Sequence, residues 1–221
     1  MKVRNLLYTF IVFSLFFVSK SGLAQSDDFS RRFFDNWSLN ANLGLSQYYG
    51  DVSGGTNPFS LLDNSTGFAY GLILKKQISP VFGIRGQIIR GKLKGKKENY
   101  TTGTPANLEL EADFFEMNLN TDMSFFNLLW GYNSKRPVDI YGFFGIGLGN
   151  YQGYAKNYVT NVTFHSFGHG FGKGISGWML EGLLTGGGGI KFRLSNSFDI
   201  NLETSLKFWN TDKFDGKVGG F

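Results

Sequence analysis

The chain has 221 residues, no cysteine, 31 glycines, 24 phenylalanines and a formal charge of +5. The lack of cysteine excludes a disulfide framework, a thiolate metal site and a cysteine-linked lipid anchor. A mean hydropathy of −0.14, with no second long apolar run, excludes a helical membrane protein.

Lys2 and Arg4 precede an apolar stretch from Leu6 to Val18 broken only by Thr9 and Ser14, and Ser21-Gly22-Leu23-Ala24-Gln25 follows. That order of charge, apolar run and small residues is a secretory signal, with cleavage expected before Gln25. The run is too short for the roughly 20 residues of a spanning helix. Residues 1–24 are therefore read as a signal peptide, 25–36 as a periplasmic segment and 37–221 as one domain. Losing Lys2, Arg4 and Lys20 lowers the formal charge from +5 to +2, so the basic character gives no reason to expect a nucleic-acid partner.

From Trp37 to Leu45 the odd positions are Trp, Leu, Ala, Leu and Leu, and the even ones Ser38, Asn40, Asn42 and Gly44. Period two fits a strand and scatters around a helix. Phe68, Tyr70, Leu72 and Leu74 mark a second strand, and Phe82, Ile84, Gly86 and Ile88 a third, with a turn at Ser79-Pro80. In a fourth, Phe115, Met117, Leu119, Thr121 and Met123 oppose Glu116, Asn118, Asn120 and Asp122. A fifth sets Ile140, Phe144, Ile146 and Leu148 against Tyr141, Gly145, Gly147 and Gly149. A sixth runs from Trp178 to about Arg193, and a seventh opposes Phe198, Ile200, Leu202, Thr204, Leu206 and Phe208 to Asp199, Asn201, Glu203, Ser205 and Lys207.

Polar residues on one face and apolar residues on the other suit a strand between lipid and a polar lumen. Long connections at 50–66, 92–107 and 152–177 alternate with short ones. The one at 126–137 is longer than this rule prefers. Aromatic residues cluster at the strand ends, with Trp37, Phe82, Phe125 and Phe198 at one interface and Tyr49, Phe68, Trp178 and Phe208 at the other. A soluble sandwich or lipocalin-like barrel would turn the apolar face inward and bury the charges of the other. The fold class expected is all-β, an antiparallel up-and-down transmembrane β-barrel of the eight-stranded type. Seven strands are counted, so the eighth is expected to be missing from this chain, leaving a gap one strand wide between the strand from Trp37 and the strand ending near Phe208.

The lumen-facing charges are Arg85, Glu116, Asp122, Glu181, Lys191, Arg193, Asp199, Glu203 and Lys207. Counting from the turn at 195–197 sets Arg193 opposite Asp199 and Lys191 diagonal to Asp199 and Glu203, with Arg85 near the level of Asp122. In a barrel this small such charges pair and plug the interior. Lys92, Lys94, Lys96 and Lys97 crowd the second long loop and could meet lipopolysaccharide phosphates. His165, Ser166 and His169 form a weak catalytic candidate, with no acid in their loop and with Phe164, Phe167 and Phe171 interleaved. Gly145, Gly147 and Gly149 lack the rest of a dinucleotide motif, and Gly172-Lys173 lacks the hydroxyl residue of a phosphate loop. Asp212 and Asp215 read as a turn before a cation site. No catalytic, cofactor-binding or metal residue is assigned, and no cofactor is expected.

Trp37-Ser38-Leu39 with Tyr48-Tyr49-Gly50-Asp51, Tyr141-Gly142-Phe143-Phe144-Gly145-Ile146-Gly147, and Thr211-Asp212 with Asp215 resemble the small outer-membrane β-barrels of the Bacteroidetes type, many known only as a domain of unknown function. The resemblance covers nearly the whole mature chain. It implies a bacterial outer-membrane location and an OmpA-like barrel, and transfers no catalytic residue. Some members of that class belong to secretion or gliding machinery. The function expected is a structural or interaction barrel, not an enzyme, whose loops meet lipopolysaccharide, the environment or a protein partner in the envelope. The alternatives are an accessory part of a secretion or gliding machine, a lipid hydrolase and a narrow pore.

Overall fold

The computed structural model describes residues 6–17, 36–49, 66–99, 103–133, 136–170, 172–195 and 198–210. In chain order they form β1 (Leu6–Phe17), β2 (Trp37–Tyr49), β3 (Thr66–Gln77), β4 (Phe82–Asn99), β5 (Pro105–Ser124), α1 (Phe125–Trp130), β6 (Val138–Asn157), β7 (Thr163–Phe167), a 3-10 turn (Ile175–Gly177), β8 (Met179–Arg193) and β9 (Asp199–Trp209). Eight strands close a ring in the order β5-β4-β3-β2-β1-β9-β8-β6, with β6 returning to β5. Every pairing is antiparallel. The chain is an all-β, up-and-down barrel.

The two tight turns at the lower end share one device. Ser79 Oγ accepts from Phe82 N at 2.9 Å, and Ser195 Oγ accepts from Phe198 N at 3.1 Å. A serine hydroxyl that satisfies a free amide favours such a turn. The long lower connection becomes α1, whose N-cap Ser124 accepts from Asn127 N at 3.2 Å and which stops at Gly131 with φ 73°. Arg136 then ties the end back, donating to Asn127 Oδ1 at 2.9 Å and to the Gly131 carbonyl at 3.1 Å.

Three expectations change. The gap between β2 and β9 is one strand wide but is occupied: β1 pairs with β2 from Leu7↔Tyr49 to Phe17↔Leu39 and with β9 from Leu6↔Trp209 to Leu15↔Ile200. Two open edges of backbone donors and acceptors favour any strand that can pair with both. The region 92–107 is mostly strand, because β4 and β5 continue paired up to Lys97↔Leu108. The third long connection likewise contains the end of β6 and the short β7, which pairs with β6 from Gly153↔Phe167 to Lys156↔Thr163.

These extensions keep period two but reverse its meaning. On β4 the outward row is Phe82, Ile84, Gly86 and Ile88, then Arg90, Lys92, Lys94 and Lys96, while the inward row passes from Arg85 and Gln87 to Ile89 and Leu93. On β5 the outward row changes from Met117 and Phe115 to Asp113, Glu111 and Glu109, and the inward row from Glu116 to Phe114, Ala112 and Leu110. Register puts both changes at one level, since Ile88 faces Met117 and Met117 faces Leu148. Below this line the barrel is apolar outside and polar inside; above it the order is reversed.

Candidate functional site

The lower lumen holds one connected set of charges. Arg85 on β4 reaches Glu203 on β9 with two parallel bonds, Nη1 to Oε1 at 3.0 Å and Nη2 to Oε2 at 3.1 Å. Its Nη2 also donates to Gln87 Oε1 at 3.1 Å, its Nε lies 3.6 Å from Asp122 Oδ1, and its guanidinium stacks over Phe143 with the ring centre at 3.8 Å. Lys75 on β3 completes the Asp122 side at 2.5 Å, and the Tyr141 hydroxyl donates to Glu203 Oε1 at 2.5 Å. Higher in the lumen Lys207 is paired with Glu116. Arg85, Glu116, Asp122, Glu203 and Lys207 are all buried. A bidentate arginine pair with further partners is the arrangement that makes buried charge tolerable.

The sequence-derived set is brought together only in part. Arg85, Asp122 and Glu203 form one cluster, and Glu116 with Lys207 a second. Lys191 stands opposite Asn201 with its ammonium 5.8 Å from the centre of the Tyr141 ring, rather than in a pair with Glu203. Arg193 faces Asp199 at the rim, with Nε 3.9 Å from Oδ1 and both side chains partly exposed. Glu181 lies on the inward face of β8 at the level of Gly149, near the top of the lumen. Lys75, Gln87, Tyr141 and Phe143 join the network although the expected charge set holds none of them; Tyr141 stands on the inward row that the sequence reading assigns it, and inward parity on β3 and β4 places Lys75 and Gln87 there too.

Above the charges the lumen is closed by apolar side chains. Tyr151 meets Phe167 and Trp209 edge-on, each at 5.5 Å, within a buried cluster that includes Ile89, Leu93, Leu110, Phe114 and Leu183. A Cβ on Gly149 would stand 1.9 Å from the Trp209 ring, so the indole needs glycine there. Room for Phe143 and Tyr141 comes from Gly187 and Gly189 on β8, where a Cβ would come within 2.6 and 2.8 Å of those side chains.

Outside and above the Ile88 line, the lysines form a column on β4 instead of a loop cluster. Lys92, Lys94 and Lys96 stand opposite Asp113, Glu111 and Glu109 on β5, and Glu111 and Glu109 stand opposite Tyr154 and Lys156 on β6. The Lys92 ammonium lies 3.8 Å from Glu111 and 4.0 Å from Asp113, Lys156 lies 3.3 Å from Glu109, and Lys96 lies 3.1 Å from Glu98. Lys97 sits at the register break near the strand end. The Tyr154 hydroxyl donates to Glu111 Oε2 at 2.7 Å. This bond, with the nearby lysines, holds the Glu111 carboxyl below the usual range, and the same bond pushes the Tyr154 phenol up to about 12. Arg90, the lowest cation of the column, reaches the Trp178 ring at 6.0 Å.

His165 and Ser166 are successive residues of β7 and so point to opposite sides, while His169 lies in the following turn with φ 42°. That geometry does not converge on one reacting atom. Gly172 and Lys173 lie in the loop before the 3-10 turn, and Phe171, Asp212 and Asp215 lie outside the described residues.

No protein-family model matches the sequence. No curated protein matches it either. Among solved structures, Ail, the attachment invasion locus protein of Yersinia pestis, in complex with the heparin analogue sucrose octasulfate, is 8% identical over 93% of this chain and 97% of that one, with a TM-score of 0.32. The translocator domain of the autotransporter NalP from Neisseria meningitidis is 8% identical over 94% and 88%, with a TM-score of 0.34. Values this low transfer nothing to this chain, and the Bacteroidetes-type resemblance rests on its quoted motifs alone.

Proposed function

We propose that the chain is a bacterial outer-membrane barrel with a structural or interaction role, exported by the signal at residues 1–24. The reversal of inside and outside at the level of Ile88, Met117 and Leu148 carries this reading. Only a lipid surround rewards an outer belt such as Leu72, Ile84, Leu119, Phe144, Ile146 and Leu202, all exposed, around a lumen of buried charge. The charged sheet above the line then stands outside the cell, and α1, with Leu128, Leu129 and Trp130 exposed, sits at the periplasmic interface.

In this reading the contact surface is the outward sheet of β4, β5 and β6. Arg90, Lys92 and Lys94 start directly above the lipid belt, at the height of outer-leaflet headgroups, where lipopolysaccharide presents phosphates. The loose Lys92 contacts at 3.8 and 4.0 Å exchange for phosphate at little cost. Catalysis has no place in this proposal: His169→Ala leaves any lipid hydrolysis by the purified protein unchanged. The lipid reading is tested with a fluorophore on Leu119→Cys and another on Glu111→Cys in vesicles of brominated lipid. Quenching of the first and not the second is expected. Equal quenching at both sites refutes it.

A further inference from the structure

Asn150 breaks the pattern of the outer face. It follows Leu148 on the outward row of β6, yet it is only 3% exposed. Its cover is the glycine-rich segment before β8, where Ile175 N donates to Asn150 Oδ1 at 3.0 Å, Gly172 N to the Gly177 carbonyl at 2.8 Å and Gly174 N to the Trp178 carbonyl at 2.7 Å. A Cβ on Gly174 would collide with Asn150 Oδ1, and one on Gly172 with the Trp178 carbonyl, so only glycine lets this segment lie flat on the sheet. The segment carries Trp178 across the outer face to Arg90, whose guanidinium lies 6.0 Å from the ring centre although β5 and β6 stand between β4 and β8. Arg90 follows Ile88 on the outward row of β4 and is flanked in register by Tyr70 and Phe115. β3 contains no acid, β6 turns Asn150 and Gln152 outward at this height, and Asp113, the first outward acid of β5, stands opposite Lys92 at 4.0 Å. No acid pairs with Arg90 among the described residues. A guanidinium set beside aromatic rings keeps its N–H edge free, and that planar fork fits two oxygens of one phosphate.

We propose that Arg90, Trp178 and the 172–178 segment form a binding site for a phosphate of the acylated disaccharide that anchors lipopolysaccharide, with its acyl chains lying on Leu72, Ile88 and Met117 just below. This rests on the outer-membrane reading and narrows its broad contact surface to one built site. The rows beneath the guanidinium are apolar, exposed and continuous with the outer belt, which favours a phosphate that arrives on a lipid over one free in solution. The charge of Arg90 supplies attraction, its fork supplies orientation, and the Trp178 ring shields one side from water. Lys92, the next residue up the row, can turn from its loose contacts at 3.8 and 4.0 Å to a further phosphate oxygen.

The full chain, expressed in a Gram-negative host and purified from its membranes into micelles, is titrated with a fluorescent, phosphorylated lipid anchor of lipopolysaccharide. The same lipid stripped of its phosphates, phosphatidylglycerol and inorganic phosphate serve as the other probes. Saturable binding of the phosphorylated anchor is expected, weakened about tenfold by removal of the phosphates or by Arg90→Gln. Arg90→Lys, which keeps the charge without the fork, and Trp178→Leu should each weaken it several-fold. Arg193→Gln, which removes a charge at the opposite rim, should leave it unchanged. Unaltered affinity in Arg90→Gln or Trp178→Leu, or equal losses in Arg90→Gln and Arg193→Gln, overturns the site. Equal affinity for the stripped anchor or for phosphatidylglycerol, or displacement by inorganic phosphate at the same concentration, overturns the ligand. Failure of the outer-membrane reading registers separately, as protein absent from the outer-membrane fraction or as equal quenching of the Leu119→Cys and Glu111→Cys fluorophores.

Discussion

The phenol of Tyr141 on β6 donates to the carboxylate of Glu203 on β9, although β8 lies between those strands. The bond crosses the lumen, and Arg85 meets the same carboxylate from β4. Glu203 therefore joins three strands of the ring. Glu203→Ala leaves Arg85 with Asp122 as its one remaining charged partner among the described residues, beside the Gln87 amide, and removes the acceptor of Tyr141. A loss of about 3–5 kcal/mol is expected, and a smaller one for Glu203→Gln, which keeps an acceptor. Denaturant unfolding in detergent measures both. Lys96→Ala, on the outer sheet, serves as the comparison and should unfold at the midpoint of the unaltered chain.

Neighbours on β9 separate lipid from lumen. Leu202 is 40% exposed and Asn201 2%. Leu202→Lys places a charge in the lipid belt and should cost about 2–4 kcal/mol, with Asn201→Lys costing much less. Reversible folding into vesicles compares them, and equal costs would invert the assignment of faces.

Glu111 and Tyr154 set opposite pH limits on the outer sheet. The lowered carboxyl stabilises folding above its ordinary value of 4.5, and that contribution is lost as pH falls through the folded value. The raised phenol stabilises folding below its ordinary value of 10, and its contribution is lost as pH rises through about 12. Difference absorbance titration of the unaltered chain against Tyr154→Phe should show one tyrosine ionising late. An ordinary phenol titration at that position would remove the bond to Glu111.

The filled lumen predicts no stable single-channel conductance. The upper closure depends on Tyr151 between Phe167 and Trp209. Tyr151→Ala should cost about 3–5 kcal/mol and speed proteolysis of the sheet above the Ile88 line, while the barrel below stays resistant. Conductance in the unaltered chain would contradict the lumen packing directly.

Seven strands and their inward faces were legible in the sequence because alternation is visible wherever lipid and lumen differ in polarity. Arg193 opposite Asp199 followed from counting through a short turn. The upper strands were hidden: at Ile88 and Arg90 the period continues while apolar and polar exchange faces, so a search for apolar outward rows stops there and the remainder resembles a loop. β7 is too short to declare a period. Counting along the hairpin sets Glu203 diagonal to Lys191 because it reaches only adjacent strands, whereas Arg85 approaches it through the interior. α1 was missed since six residues with an exposed Phe-Leu-Leu-Trp face carry no core stripe.

The apolar outward row is short on β5. From Met123 to Phe115 the outward row of β5 climbs eight residues, which at roughly 3.4 Å each and a tilt of ~40° rises about 20 Å. A typical outer-membrane belt is about 25 Å tall. On the outer-membrane reading proposed above, lipid would thin beside β5 and not beside β9, where the outward row runs from Phe198 to Phe208, so the bilayer would meet the barrel at uneven height around its circumference.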